Sequence, residues 1–286
     1  MKKLGLILGL LLAIVLIASL SFQFLPVREP ASPVPAGLQV TFIDVGQGDS
    51  IAVRCDSNTL LIDAGPNTAT DSLLKILRNL GIRRFDTLVI THPHEDHIGG
   101  MDKVIQNFDI GKIFLPDVTT TTKTFSDLLQ AIAGKGLTVT HPLPGDNFTV
   151  GAAACTVLAP SSPAYADLNN YSIVIRLVYG NTSFLFTGDA QADSEKEMLA
   201  RNLTLKSDVL KVGHHGSSAS TSNEFLLAVS PRYGVISVGK DNDYGHPHPS
   251  TLAKLNTAGV QTYRTDLNGT VTFTSDGNNL SVKTEK

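Results

Sequence analysis

Four side chains in the run His92-Pro93-His94-Glu95-Asp96-His97 are good ligands for a divalent metal: His92, His94, Asp96 and His97. No cysteine takes part, so the donors are imidazole nitrogen and carboxylate oxygen. That set suits zinc, manganese or iron and differs from a structural Cys-rich zinc site. His92 and His94, one residue apart in an extended turn, can face the same side and hold one ion. Asp96 and His97 can turn toward a second. Packing gives no reason for histidines two apart followed at once by Asp-His.

Other residues able to ligate, donate or accept stand at the ends of apolar stretches: Asp63, Asp189, the pair His214-His215, and His246 with His248. Adjacent residues on an extended chain point apart, so only one of His214 and His215 is expected on a metal, and His214 is favoured. Its neighbour then binds substrate or orients a ligand. Gly216 and Ser217 suit a turn whose N–H groups and hydroxyl meet a phosphate. His246 and His248 are candidate catalytic groups, since an imidazole can protonate a leaving oxygen near neutral pH; a ligand pair or a Pro-rich turn are the alternatives. Asp63 suits a residue that orients a ligand histidine from behind. Asp44-Val-Gly-Gln-Gly-Asp49-Ser50 is Gly-rich but lacks the Lys-Ser/Thr of a phosphate loop. Its glycines fit a tight loop beneath the metals, with Asp49 as a supporting or substrate-contacting residue.

Elements that would position these groups are readable on both sides. Phe85–Thr91 is a β-branched run that reads as a buried strand, and Met101–Phe108 after Gly99-Gly100 reads as a helix. The ligand run thus lies at the carboxyl end of a strand, where open α/β sheets place ligands. Further strands are expected at 38–43, 50–54, 58–62, 111–115, 137–140, 151–158, 172–179, 183–186, 208–212 and 233–238. Helices are expected at 71–80, stopped by Gly81, and at 124–133, 192–201, 224–229 and 250–257, the last capped by Ser250. A hairpin over 270–274 and 280–282 closes the chain. The class is α/β, and the polar residues gather at one end of the strands.

The ends of the chain and its charge narrow the setting. Met1-Lys2-Lys3 followed by uncharged Leu4–Leu20 is an export signal or anchor, residues 1–25, and places the rest of the chain outside the membrane. Residues 26–37, with prolines at 26, 30, 33 and 35, read as a linker, so the folded domain is 38–286. Lys2, Lys3 and Arg28 against Glu29 give the first 36 residues +2, so the remainder carries −5 of the total −3. Binding of nucleic acid by protein charge alone favours a basic domain, so a polyanion here needs bound cations. Cys55 and Cys155, each in or beside an apolar run, read as buried free thiols rather than a disulfide.

The ordered motifs His92-x-His94-x-Asp96-His97, Leu61-Ile-Asp63-Ala-Gly and Phe186-Thr-Gly-Asp189 resemble the metallo-β-lactamase fold, a four-layer αββα sandwich with a one- or two-metal site. Within it, Asp44–Ser50, Lys211–Ser217 and Tyr244–His248 resemble the C-terminal domain of the ComEC-type competence proteins of DNA uptake. With a single N-terminal apolar segment, the chain looks like a free-standing, tethered or secreted relative. The resemblance implies His92 and His94 on one ion, Asp96 and His97 on the other, Asp189 bridging both, and a last histidine at His214/His215. It also implies a further histidine before the Thr-Gly-Asp strand, where this chain has Leu168-Asn-Asn170-Tyr; Asn170 is expected there as a weak neutral ligand, which favours Mn²⁺ over Zn²⁺. The function implied is two-metal hydrolysis of phosphodiesters in extracellular DNA, with Asp96, His246 and His248 as catalytic groups. Hydrolysis of a small ester, lactone or β-lactam is the alternative within enzymes, and a non-catalytic surface DNA-binding module the alternative outside them.

Overall fold

The computed structural model describes residues 37–286. The expected anchor, 1–25, and the linker up to residue 36 lie outside the described residues. Among the described residues no helix is long and apolar enough to cross a membrane.

Fifteen strands are present among them: β1 Leu38–Phe42, β2 Ile51–Cys55, β3 Asn58–Ile62, β4 Arg84–Val89, β5 Asp109–Phe114, β6 Val139–Thr140, β7 Asn147–Val150, β8 Ala153–Ala159, β9 Val174–Tyr179, β10 Thr182–Phe186, β11 Val209–Lys211, β12 Tyr233–Ile236, β13 Gln261–Arg264, β14 Val271–Ser275 and β15 Leu280–Thr284. They form two sheets, ordered β15-β14-β1-β2-β3-β4-β5-β6 and β13-β12-β11-β10-β9-β8-β7.

Central strands are apolar on both faces, and the period of two sorts their side chains into separate cores. In β3, Leu60 and Ile62 enter the core between the sheets while Leu61 enters the core under the helices. In β10, Phe184 and Phe186 enter the first of these and Leu185 a third. That middle core joins the two sheets through residues such as Phe42, Phe186 and Phe273. A second packs the outer face of the first sheet against helices Thr70–Asn79, Met101–Asn107 and Lys123–Gly134. The third packs the outer face of the other sheet against Ala192–Ala200, Asn223–Val229 and Pro249–Thr257. Three apolar interfaces make four layers, the αββα sandwich expected.

Strand direction then sets where the chemistry falls. β3, β4 and β5 run parallel, so the exits of β3 and β4, carrying Asp63 and His92, lie side by side. β10, β11 and β12 are also parallel, which brings Asp189, His214-His215 and Ser237 to one edge of the second sheet.

Several boundaries differ from the sequence reading. The helix at Pro249 starts one residue before the expected cap: His248 is the extended residue ahead of it, and Pro249 opens it, where a missing N–H costs nothing. Ser250 is therefore inside the helix. Gly151 and Ala152 form the turn between β7 and β8, so the expected strand begins only at Ala153. β7 and β13 were not expected at all. Both are four-residue edge strands of mixed polarity, Asn-Phe-Thr-Val and Gln-Thr-Tyr-Arg, too short to carry a clear signal.

Candidate metal centre

After β4 the chain runs through Thr91 and His92 to His94, which is extended (φ −83°, ψ 150°) and precedes a four-residue helix, Glu95–Ile98. This short turn, missed in the sequence, carries His97 back against His92, with ring centroids 4.2 Å apart. It is pinned from outside by Glu95, whose Oε1 accepts from Asn67 N at 2.7 Å and Nδ2 at 2.6 Å. From inside, the Gly-rich loop 44–50 presses against it: Asp49 N donates to Asp96 O at 3.1 Å, and a Cβ on Gly48 would lie 2.2 Å from that same oxygen. Only glycine fits there, the more so at φ +139°.

The imidazoles of His92, His97 and His215 are held by their Nδ1 edges so that Nε2 faces inward. Asp63 is fully buried; its Oδ2 lies 2.8 Å from His97 Nδ1, and it accepts from Thr91 N (2.8 Å) and Thr91 Oγ1 (2.6 Å). His92 Nδ1 meets Thr91 Oγ1 at 3.1 Å and Ser172 Oγ at 3.4 Å. His215 Nδ1 meets Ser237 O at 2.9 Å. The four inward Nε2 atoms of His92, His97, His214 and His215 stand 3.9, 3.3, 3.7 and 3.4 Å from one atom, Asp189 Oδ2. Asp96 Oδ2 lies 3.1 Å from His215 Nε2 and 3.8 Å from His97 Nε2. On the other side His92 Nε2 is 3.0 Å from His94 Nδ1. Asp189 itself is aimed by its N–H, which donates to Ser172 Oγ at 3.0 Å.

Electrostatics describe a centre that wants cations. Burial alone would lower His97 and His215, yet the carboxylates of Asp189 and Asp96 hold His97 well above its usual value and His215 at about 10. Burial would likewise raise Asp96 and Asp189, and the two imidazoliums hold both below the usual carboxylate range. Burial pushes His92 well down, helped by the charge on His97. Protons on His97 and His215 thus balance the carboxylates when no metal ion does. His97 Nε2 and Asp189 Oδ1 remain buried without hydrogen-bond partners, a cost that native sites rarely carry without an ion or water to offset it. Asp96, His97, Asp189 and His215 offer ligand atoms within 4.8 Å of one another. The donor set fits divalent ions.

Sequence and structure part company at neighbouring residues. His215, not the favoured His214, is the buried member of the Asp96–Asp189 cluster. His214 does not point away, because both residues adopt left-handed backbone (φ 49° and 52°) rather than the extended form assumed. Asn170 does not reach the centre: its Oδ1 accepts from Gln191 N at 3.0 Å and Ser194 N at 3.3 Å, bracing the start of helix Ala192–Ala200. Its neighbour Asn169 lines the cleft instead, and Asn169 Oδ1 is buried with no partner. Ser217 is buried and does not line the cleft, with its Oγ accepting from Ala219 N and its N–H donating to His214 O. His248 Nδ1 accepts from Ser218 N at 3.2 Å, and the residue does not line the cleft. His246 does line it, with Nδ1 unpartnered. Burial and the nearby imidazoles push His246 down to about 4, so at neutral pH it is uncharged and poorly suited to the proton-donor role expected for it.

Two features were missed. Lys211, the last residue of β11 and flanked by apolar Leu210 and Val212, is wholly buried, and its Nζ lies 2.9 Å from Asp49 Oδ2. Asp49 Oδ1 in turn lies 3.5 Å from His215 Nδ1, so Asp49 supports the centre from below rather than meeting substrate. A charged residue in an apolar run was the available signal. The second is Tyr244, which joins Gln47, His94, Asn169 and His246 around a cleft of about 380 Å³ above the histidines.

The chain is 32% identical over 253 residues to ComE operon protein 3 of Bacillus subtilis (strain 168), covering 82% of this chain and 33% of that one. It is 34% identical over 248 residues to Competence protein ComA of Neisseria gonorrhoeae, covering 82% and 32%. It therefore spans about a third of the length of these curated relatives. Among solved structures, Igni18, a metallo hydrolase from the hyperthermophilic archaeon Ignicoccus hospitalis KIN4/I, superposes with a TM-score of 0.55 at 19% identity, covering 83% of this chain and 100% of that one; at that identity the likeness is one of fold. The family model described as the metallo-beta-lactamase superfamily matches residues 43–240, which hold every candidate ligand from His92 to His215, and the chain belongs to that superfamily of metal-dependent hydrolase fold.

Proposed function

We propose that this chain is a metal-dependent phosphodiesterase that cleaves DNA outside the cytoplasm, using two divalent ions, Mn²⁺ or Zn²⁺. His92 and His94 would hold one ion and Asp96, His97 and His215 the other, with Asp189 placed among them. The observation that carries the reading is the meeting of four imidazole nitrogens on Asp189 Oδ2 at the floor of an open cleft. Ions bound there supply Lewis acidity, lowering the pKa of a water and neutralising charge on the oxygens of a phosphodiester.

The chain's own groups position and hold. Asp63 keeps His97 in the tautomer that turns Nε2 inward. Asn169 Oδ1 offers a neutral oxygen in the segment where the family's further histidine is absent, and a neutral oxygen favours a harder ion such as Mn²⁺. His246, uncharged at neutral pH, orients water or the leaving oxygen at the rim. Similarity to proteins named for competence supports DNA as substrate, and the domain's acidity means that cations must supply the attraction for it. Placement outside the cytoplasm rests on the apolar segment after Lys2 and Lys3.

The full chain, stripped of metal and then given Mn²⁺, Zn²⁺ or Mg²⁺, is incubated with single- and double-stranded DNA beside Asp96→Ala. Metal-dependent cutting that the variant loses supports the nuclease and names its ion. Absence of cutting by protein that binds the ions refutes it and turns the search to small esters, lactones and β-lactams. DNA binding that persists in chelator without cutting points to a binding module.

A further inference from the structure

We propose that Tyr244 is a stacking platform for a nucleobase beside the scissile phosphate, so that the site grips a nucleic acid strand by a base as well as by its phosphate. The inference rests on the phosphodiesterase reading and adds a base-binding subsite to it.

Tyr244 is the only Phe or Tyr that is exposed among the described residues, at 66%, and it stands at the mouth of the cleft over the histidines. A single exposed ring is ordinary on a protein surface, so what matters is its place, on the lip of the cleft that holds the histidines, with an apolar face free for a planar partner. The loop that carries the ring is tied down. Asn242 ties the loop from within: its Oδ1 accepts from Tyr244 N (3.2 Å) and His246 N (3.0 Å), and its Nδ2 donates to Gly239 O (3.0 Å) and His246 O (2.7 Å). Gln47 clamps the loop's start, its Oε1 accepting from Gly239 N at 3.1 Å.

Orientation points the same way. Tyr244 lies nearly parallel to His246, 21° between planes with centroids 5.7 Å apart. His246 lies at 28° to His215, 6.4 Å further in. Three rings thus lead from the exposed Tyr244 through His246 to the buried His215, each tilted by less than 30° to the next, and a base laid on Tyr244 would extend that run outward. Bases stack on aromatic side chains in this manner without sequence preference, because every base has a π-face. The acidic domain gains a grip that does not depend on basic side chains.

The test compares wild type, Tyr244→Phe and Tyr244→Ala, all as full chains loaded with Mn²⁺. Substrates are single strands carrying either normal nucleotides or an abasic residue at each position flanking the cut. Wild type and Tyr244→Phe should prefer the base-bearing strand by about tenfold, mostly in KM, and in Tyr244→Ala the ratio should fall to about one. A ratio unchanged in Tyr244→Ala, or no preference in wild type, overturns the proposal. Fluorescence of a strand carrying 2-aminopurine reads the stack without turnover: quenching by wild type and Tyr244→Phe but not by Tyr244→Ala supports it. If wild type cuts no strand, the phosphodiesterase reading falls alone when that quenching survives, and the stacking proposal falls with it when quenching is absent.

Discussion

Replacing Lys211 by Met should be among the most damaging single changes outside the ligands themselves. Lys211 Nζ and Asp49 Oδ2 are 2.9 Å apart, with side chains 0% and 2% exposed, so neither charge has water to fall back on. The ammonium also donates to Val212 O at 3.0 Å, and Asp49 Oδ1 has no hydrogen-bond partner. Removing one member of such a pair strands the other and costs about 3–5 kcal/mol, whereas replacing both by neutral groups is often close to neutral. Against a domain stability of about 5–15 kcal/mol that loss is large. In a domain of this size it lowers the melting temperature by about 10 °C. Unfolding of Lys211→Met, Asp49→Asn and the double variant would be followed in chelator, so that metal binding does not enter. Each single variant should lose several kcal/mol and the double variant should regain most of it. Single losses below about 1 kcal/mol, or a double loss equal to the sum of the singles, would refute the reasoning.

Metal uptake should strengthen with pH, because His97 and His215 must give up protons to ligate; chelator competition at pH 6 and pH 8 reads this, and equal affinities would count against those ligands. The same groups set the opposite trend in metal-free protein. A raised histidine contributes its full stability below its unfolded value of about 6.5 and loses it as pH climbs toward the folded value, about 10 for His215, so melting temperature in chelator should fall across that window. Asp63→Asn should leave the fold in place and weaken metal binding about 10- to 100-fold, since His97 loses the anion that fixes its ring; an unchanged metal content after dialysis would contradict it. Cys55 and Cys155 are buried free thiols, and burial pushes Cys155 up to about 12, so both should resist alkylation until the protein is unfolded. Rapid labelling of native protein, or a mass showing a disulfide, would refute this.

Much of the architecture was legible because it is written in periodicities. β3, β4 and β10 close on apolar residues that enter cores on both faces of their sheets, and each is followed within three residues by a ligand-type residue, Asp63, His92 or Asp189. The helices Thr70–Asn79 and Lys123–Gly134 show one apolar stripe and were placed within a residue or so. What periodicity does not reach is the edge of a sheet. β7 and β13 are held by one neighbouring strand each, so little in their composition had to be apolar.

The centre itself was legible as chemistry and less so as geometry, and the errors have one cause. Asn169 against Asn170, His215 against His214, and the pair His246 and His248 between which the sequence did not decide, are close neighbours in turns. In a strand, alternation decides which residue faces a given side, but these segments are 3₁₀ or left-handed turns or a Pro-containing loop, where direction follows from the particular backbone angles. Those angles come from contacts made far away in sequence: Ser237 on His215, Glu195 on Thr221 and Ser222, helix Ala192–Ala200 on Asn170. Lys211 went unremarked for a related reason. Its partner Asp49 is remote in the chain, and a charge inside an apolar strand becomes intelligible only when the opposite charge is seen 2.9 Å away. Residue type limits what chemistry a site can perform. Which of two adjacent residues faces the cluster is set by packing from remote segments, as His215 is held by Ser237 of its own sheet and Asp49 from the loop after β1.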